Sequence, residues 1–122
     1  MKTLLLAAAT AALLVPGIAA AADLTGSWKL SLDIGGMPFE TACTLTQTGT
    51  ALSGGCSGSD SKDPPAPVTG AVDGATAKFA YDITYQGNPM HVAYTAAIKS
   101  DTAMDGAVDV QIAQGTFKAT KQ

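Results

Sequence analysis

Apolar and polar residues alternate along almost the whole chain from Leu24 onwards. In the segment WKLSLDI, apolar side chains occupy every second position from Trp28 to Ile34. A period of two is typical of a β-strand with one buried face. No stretch after Leu24 shows a convincing helical period. The pattern therefore predicts an all-β protein.

Turn signals rich in Gly, Asn, Asp and Pro divide this pattern into eight segments. The predicted strands lie near residues 25–34, 39–48, 51–57, 67–72, 75–85, 90–99, 103–112 and 115–121. A sheet with one continuous apolar face needs a cover, and the sequence offers no helix for that purpose. Closing the sheet on itself buries the face and removes both edges. We therefore expect a single eight-stranded antiparallel up-and-down barrel, with a two-sheet sandwich as the alternative.

Two hairpin turns predict which residues face each other across strands. A two-residue loop at 73–74, where Asp-Gly favours a type I′ turn, would pair Val68 with Phe79. The turn QGNP would set Tyr81 opposite Tyr94. Both registers keep all four side chains on the inner face.

The turn near Ser100 is the most demanding one. It needs an odd length or a β-bulge, because Ile98 and Met104 must share one face. The next strand is expected to continue to Ile112, with that side chain inside.

The two cysteines lie at the ends of the segment CTLTQTGTALSGGC. A two-residue loop at 49–50, with Gly first as a type II′ turn prefers, pairs Thr48 with Ala51 and sets Cys43 opposite Cys56. That position is non-hydrogen-bonded, where side chains come closest, so a disulfide is predicted. No base or cation stands nearby to activate a thiol, and two Cys with one His cannot close a zinc site. We predict neither a metal nor a cofactor.

The first 22 residues resemble a secretory signal peptide, with Lys2, an apolar run from Leu4 to about Val15 and a run of alanines. The run is too short to span a membrane. Cleavage would leave one barrel domain, 23–122, in the periplasm or outside the cell, where disulfides persist. That domain has six Lys, no Arg and ten acidic residues, a formal charge of −4. Without a basic patch, a nucleic-acid partner is not expected.

The longer connections gather at one end of the predicted barrel, including the eleven-residue stretch SGSDSKDPPAP, whose prolines are expected above the opening. Loops on a rigid scaffold commonly carry binding sites, so we take this end as the mouth. The candidate ligand-binding residues near it are Met37, Phe39, Tyr81, Tyr85, Met90 and Tyr94. Plain core packing remains the alternative for the tyrosines, because an eight-stranded barrel either fills with side chains or holds one small ligand.

The sequence Gly26-Ser27-Trp28 at the start of the first strand resembles the GxW signature of the lipocalins and the wider calycin superfamily. In that family the Trp plugs the closed end of the barrel beneath a basic residue from the last strand. The resemblance implies these roles for Trp28 and Lys121. It also implies an exported lipocalin-like barrel that binds a small apolar molecule.

A second interpretation is a protein-interaction module with a filled core. The segment AADLTGSW also resembles the start of small bacterial metalloprotease inhibitors, in which the residues before the GxW enter the protease cleft. Residues 23–25 would take that role here, and the partner would be a protein. Enzymatic activity is not expected, because the only imidazole, His91, falls on the outer face and no catalytic constellation is visible.

Overall fold

A computed structural model describes residues 22–58 and 61–122 of the chain. The predicted signal peptide, apart from Ala22, lies outside the described residues. The described chain is all-β and contains the strands β1 (Gly26–Ile34), β2 (Met37–Thr48), β3 (Ala51–Gly58), β4 (Ala66–Asp73), β5 (Thr76–Tyr85), β6 (Asn88–Ser100), β7 (Ala103–Asp109) and β8 (Gln114–Lys121). Within these two ranges, no helix has the length and hydropathy needed to cross a membrane.

The sheet closes on itself. Every strand pairs antiparallel with the next along the chain, and β8 pairs with β1 from Trp28↔Lys121 to Ile34↔Gly115. The predicted eight-stranded up-and-down barrel is therefore confirmed, and the sandwich alternative is excluded. Closure explains why no strand needs a helix to cover its apolar face.

Inward side chains from all eight strands form one core. Each strand alternates buried and exposed residues, so that the period of two predicted from the sequence is the period seen in the barrel wall. The largest fully buried side chains are Trp28, Tyr94, Leu24, Leu30, Leu45, Met104, Val108 and Cys56. Outward positions carry mainly Thr, Ser, Ala, Lys and Asp.

The β2–β3 hairpin has the predicted register. Thr48 pairs with Ala51 around the loop at 49–50, and Gly49 has a φ of 63°. Cys43 lies opposite Cys56, with their Cα atoms 4.1 Å apart, and the two form the predicted disulfide. Both sulfurs are buried in the core.

Two predicted registers are wrong by two residues. The β4–β5 loop is Gly74-Ala75, with Gly74 at φ 61°, so Phe79 lies opposite Gly70 instead of Val68. The β5–β6 loop is Gln86-Gly87, and both residues have positive φ as a type I′ turn requires. A shift of two residues keeps every side chain on its face but changes its neighbours.

The aromatic partners change as a result. Tyr94 lies opposite Phe79, and Tyr81 lies opposite Val92. At Gly70, a Cβ atom would come within 2.6 Å of the Phe79 Cβ. Glycine at this inward position therefore lets β4 pass close to the backbone of β5 at Lys78 and Phe79.

The connection from β6 to β7 has the expected β-bulge, which lies between Ile98 and Ser100 and keeps Ile98 opposite Met104. The end of β7 differs from the prediction. The strand stops at Asp109, whose carboxylate accepts the N–H of Gln111, and Gln111 adopts a left-handed φ of 77°. This turn leaves Ile112 84% exposed, so its predicted inward position is wrong.

The segment before β1 plugs the end of the barrel opposite the mouth. Leu24 is completely buried; its carbonyl accepts the Trp28 indole N–H at 2.8 Å, and its own N–H donates to the Gln47 side chain at 2.9 Å. Lys121 Nζ donates to the carbonyl of Asp23 at 2.9 Å and lies 5.6 Å from the centroid of the Trp28 ring. These contacts fix residues 23–25 against the barrel.

Replacing both Cys43 and Cys56 with Ala should lower the free energy of unfolding by about 2–3 kcal/mol, because the disulfide closes a short loop in the unfolded chain. Urea denaturation with and without a thiol reductant measures this. Reductant should destabilise the unsubstituted protein and leave the double variant unchanged. Two titratable thiols in the native, untreated protein would contradict the assignment.

Replacing Leu24 with Ala should cost about 2–4 kcal/mol of unfolding free energy, because a cavity would open beside Trp28 at the closed end, where this side chain is completely buried. Ile112→Ala is the matched control, since an exposed side chain should change stability by less than about 0.5 kcal/mol. Equal urea midpoints for the two variants would show that the segment does not plug the barrel.

Candidate functional site

Two hairpin tips at the mouth extend beyond the described pairing of one or both neighbouring strands. The β5–β6 ladder runs up to Tyr85↔Asn88, whereas β4 pairs with β5 only as far as Thr69↔Ala80 and β7 pairs with β6 only as far as Ala93↔Asp109. We call residues 81–92 the second lip. The first lip is the β1–β2 tip, residues 33–40, where the described part of the β2–β3 ladder ends at Thr41↔Gly58. The lips are four strands apart in a barrel of eight and so face each other.

A proline lies at each gap beside the lips. Pro38 on β2 and Pro89 on β6 have backbone nitrogens that point away from their hairpin partners, β1 and β5. The nitrogen of Pro67 on β4 points away from its hairpin partner β3 in the same way. Proline has no N–H to offer. The nitrogen of His91, the next such position on β6, donates to the Gln111 side chain at 2.8 Å. At these positions the edges of β2 and β6 therefore offer no free donor for strand addition by another chain.

The space between the lips is an apolar cup. Among the described residues, the exposed large hydrophobic side chains are Met37 at 60%, Phe39 at 39%, Tyr85 at 46% and Ile112 at 84%, and all of them stand at the mouth. The first three occupy inward positions on the lips. The cup continues downward through partly or fully buried side chains, namely Ile34, Ile83, Met90, Leu32 and Val110.

An aromatic block forms the floor of the cup. Tyr94 stacks on Phe79 with ring centroids 4.8 Å apart and meets Phe117 edge to face at 4.9 Å. Tyr81 lies against Tyr94 at 5.8 Å. Tyr94 is 1% exposed and Tyr81 6%, so side chains fill the barrel from this level to the closed end.

Three hydroxyl groups meet in this floor. The phenol oxygens of Tyr81 and Tyr94 are 2.6 Å apart and share a hydrogen bond. Burial raises the pKa of both phenols above the ordinary value of free tyrosine. The hydroxyl of Thr41, which stands on β2 across the barrel, opposes this rise in pKa. Thr41 is the buried polar side chain among the described residues. The floor is thus a neutral polar spot beneath an apolar cup.

Charged groups at the mouth stand on the outer face. Asp33, Asp82 and Asp109 are exposed near the upper ends of β1, β5 and β7, and His91 Nδ1 lies 2.8 Å from Asp82 Oδ1. No inward position described between Tyr81 and the rim carries a charge. Residues 22–58 and 61–122 bring no three His, Cys, Asp or Glu side chains together as a metal site would need.

In the described part of the connection between β3 and β4, Pro65 does not lie above the mouth, where the prolines of this stretch were expected. Pro65 packs on the outer face of Gly55, where an added Cβ would come within 2.9 Å of the proline. A shallow groove of about 470 Å³ runs beside it on the outer wall, bounded on the other side by the ion pair of Lys29 and Glu40. Small side chains line its floor and it is open to solvent.

The predicted site residues separate into levels of one cup. Met37, Phe39 and Tyr85 form the rim, Met90 the wall, and Tyr81 the floor, while Tyr94 lies beneath it. Trp28 and Lys121 lie together at the other end, directly opposite each other in the β1–β8 ladder.

Sequence reasoning did not assign Thr41 to the site, and it assigned Ile112 to the wrong side of the barrel wall. Alternation along β2 puts Thr41 inside, but nothing in the sequence indicated that tyrosines from across the barrel would reach it. Ile112 was assigned to the interior, since no sequence signal indicated the left-handed turn at Gln111.

Comparison with known proteins supports the fold alone. The chain matches no protein-family model and no curated protein sequence. A solved structure described as a redesigned β-barrel is similar to it, with a TM-score of 0.59 and 17% sequence identity over 81% of this chain and 90% of the other. At that identity the likeness shows a shared barrel architecture and carries no statement about function.

Tyr81 and Tyr94 should make the protein less stable in alkali. Because their pKa is raised in the folded protein, the phenols of the unfolded chain ionise first, near pH 10. The contribution of the two buried phenols to the free energy of unfolding is therefore complete below that pH and is lost as the pH rises above it. Urea midpoints at pH 8 and pH 11 measure the loss. The double variant Tyr81→Phe, Tyr94→Phe should lose less stability over this interval. An equal loss in both proteins would contradict the burial of these hydroxyls.

Proposed function

We propose that this protein is a lipocalin-like barrel that binds a small apolar molecule in the cup between its two lips. The observation that carries the proposal is the gathering of Met37, Phe39 and Tyr85 on inward positions of facing lips, where they are exposed. The inward positions deeper in the same strands, Thr41 and Tyr81, are buried. Water-exposed apolar surface concentrated in a concave site is typical of ligand pockets. The ligand occupies the upper part of the barrel, because the aromatic block fills the lower part.

The cup is suited to a small molecule more than to a strand of another protein. A partner that adds a strand needs free backbone donors at an edge, and Pro38 on β2 and Pro89 on β6 each remove one beside the lips. The inhibitor-like alternative needs residues 23–25 to extend into a protease cleft. Extension would expose Leu24 and break its hydrogen bonds with Trp28 and Gln47. We therefore favour the small-molecule function.

The proposal includes export. The disulfide between Cys43 and Cys56 is compatible with an oxidising compartment, the periplasm or the cell exterior. The placement of Trp28 under Lys121 at the closed end supports the resemblance to lipocalins. We propose no enzymatic role, since the cup wall holds no group that could act as a base or nucleophile.

Titration with the neutral fluorescent probe N-phenyl-1-naphthylamine tests the function. The purified protein should bind about one probe molecule with a saturable rise in fluorescence. Met37→Ser and Tyr85→Ser should each weaken binding about tenfold, because losing about 1.4 kcal/mol of apolar contact is a factor of ten.

Ile112→Ser is the matched control. Ile112 is the most exposed apolar residue of the rim but does not occupy an inward lip position, so this variant should bind the probe with nearly unchanged affinity. Near-ultraviolet circular dichroism confirms that all three variants are folded. Absence of saturable binding, or equal loss in all three variants, would overturn the proposal.

A further inference from the structure

We infer that the ligand is an uncharged molecule with an apolar body and one oxygen acceptor, such as a ketone, ester or alcohol, whose oxygen accepts a hydrogen bond from the Tyr81 hydroxyl. This inference rests on the proposed function and specifies the chemistry of the same cup. It follows from the hydroxyl groups of the floor, from the level of Tyr81 and from the placement of charge.

The hydroxyl groups of the floor include a donor that can change its partner. Each phenol has one O–H, and the 2.6 Å bond between Tyr81 and Tyr94 uses one of the two. The other faces the hydroxyl of Thr41, the buried polar side chain of the described core, which can accept it. A hydroxyl can rotate to bond whichever acceptor is offered. A ligand oxygen that reaches the floor would therefore replace Thr41 as the acceptor of this O–H.

Tyr81 is the phenol that a ligand can reach. Tyr81 lies opposite Val92, and Tyr94 lies opposite Phe79. The pair that contains Tyr81 is one inward position nearer the mouth. Tyr81 retains 6% exposure, whereas Tyr94 retains 1% beneath its neighbouring rings. The two hydroxyls belong to one hydrogen bond but differ in their access to the cup.

The charges of the mouth disfavour an anionic ligand. A carboxylate in the cup would be desolvated without a cation beside it, since no described inward position above Tyr81 is charged. Asp33, Asp82 and Asp109 around the outside would repel it further. Fatty-acid anions should therefore bind more weakly than a neutral ketone of the same length.

Competition against N-phenyl-1-naphthylamine tests this with three probes, namely 2-octanone, 1-octene and octanoate. Tyr81→Phe should weaken 2-octanone binding about threefold to tenfold, the effect of one lost hydrogen bond, and leave 1-octene unchanged. Comparing the change in affinity of each probe between the variants cancels the difference in hydration between 2-octanone and 1-octene. Octanoate should bind the unsubstituted protein more weakly than 2-octanone at pH 8.

Tyr94→Phe is the matched control, because it deletes the same hydrogen bond from the other side. It should retain 2-octanone affinity, since it leaves the Tyr81 hydroxyl in place and free to donate. Infrared spectroscopy adds a direct readout: the carbonyl stretch of bound 2-octanone should move to lower frequency in the unsubstituted protein and in Tyr94→Phe, but not in Tyr81→Phe.

The outcomes separate the two proposals. If 1-octene and 2-octanone both bind but respond equally to Tyr81→Phe, or if the two tyrosine variants behave alike, the cup binds apolar ligands and the assigned hydrogen bond is wrong. If octanoate binds best, the inference of an uncharged ligand fails. If no probe and no dye binds, the proposed function itself fails.

Discussion

Closure of the sheet between β1 and β8 is the constraint on which the rest of the structure depends. Once Trp28 pairs with Lys121 at one end of that ladder and Ile34 with Gly115 at the other, each strand has two neighbours and one face directed at a common axis. Burial of that face is the main favourable term in folding. It also forces inward side chains from opposite strands to share a narrow interior. On neighbouring strands, a small residue can be required where two backbones come close, as at Gly70 beside Phe79.

The two ends of the barrel use that interior differently. At the closed end the chain folds back under itself: Leu24 fills the opening, and Trp28 and Lys121 hold the segment in place through its backbone carbonyls. At the mouth no segment fills the opening among the described residues. The strands end at different heights there, and the lips carry apolar side chains that no part of the described chain covers. An interior that is packed below and apolar but uncovered above is suited to a ligand that completes the packing.

The phenol pair marks the boundary between these halves. Because Tyr81 and Tyr94 bond each other, their hydroxyls can be buried without a ligand, which makes the floor stable in the empty protein. The second phenol proton, which the Thr41 hydroxyl can accept, would turn to an acceptor that arrives from the mouth. Stability and recognition would thus depend on one hydrogen bond. The Phe variants can separate the two roles, since each removes the bond while only one removes the contact with the cup.

The sequence by itself determined the strand count, the inward face of nearly every strand, the barrel class and the pairing of Cys43 with Cys56. These depend on alternation and on short hairpin loops, both of which are local. It did not determine the register at the loops after β4 and β5, because turn pairs such as Gly74-Ala75 and Asp73-Gly74 are both acceptable locally and differ by two residues, which preserves the faces. Only the tertiary structure decided that Tyr94 stacks on Phe79, that Thr41 meets the tyrosines from across the barrel and that Pro65 packs outside. Those contacts join strands that are distant in the chain, and their geometry depends on how the closed barrel staggers its strands.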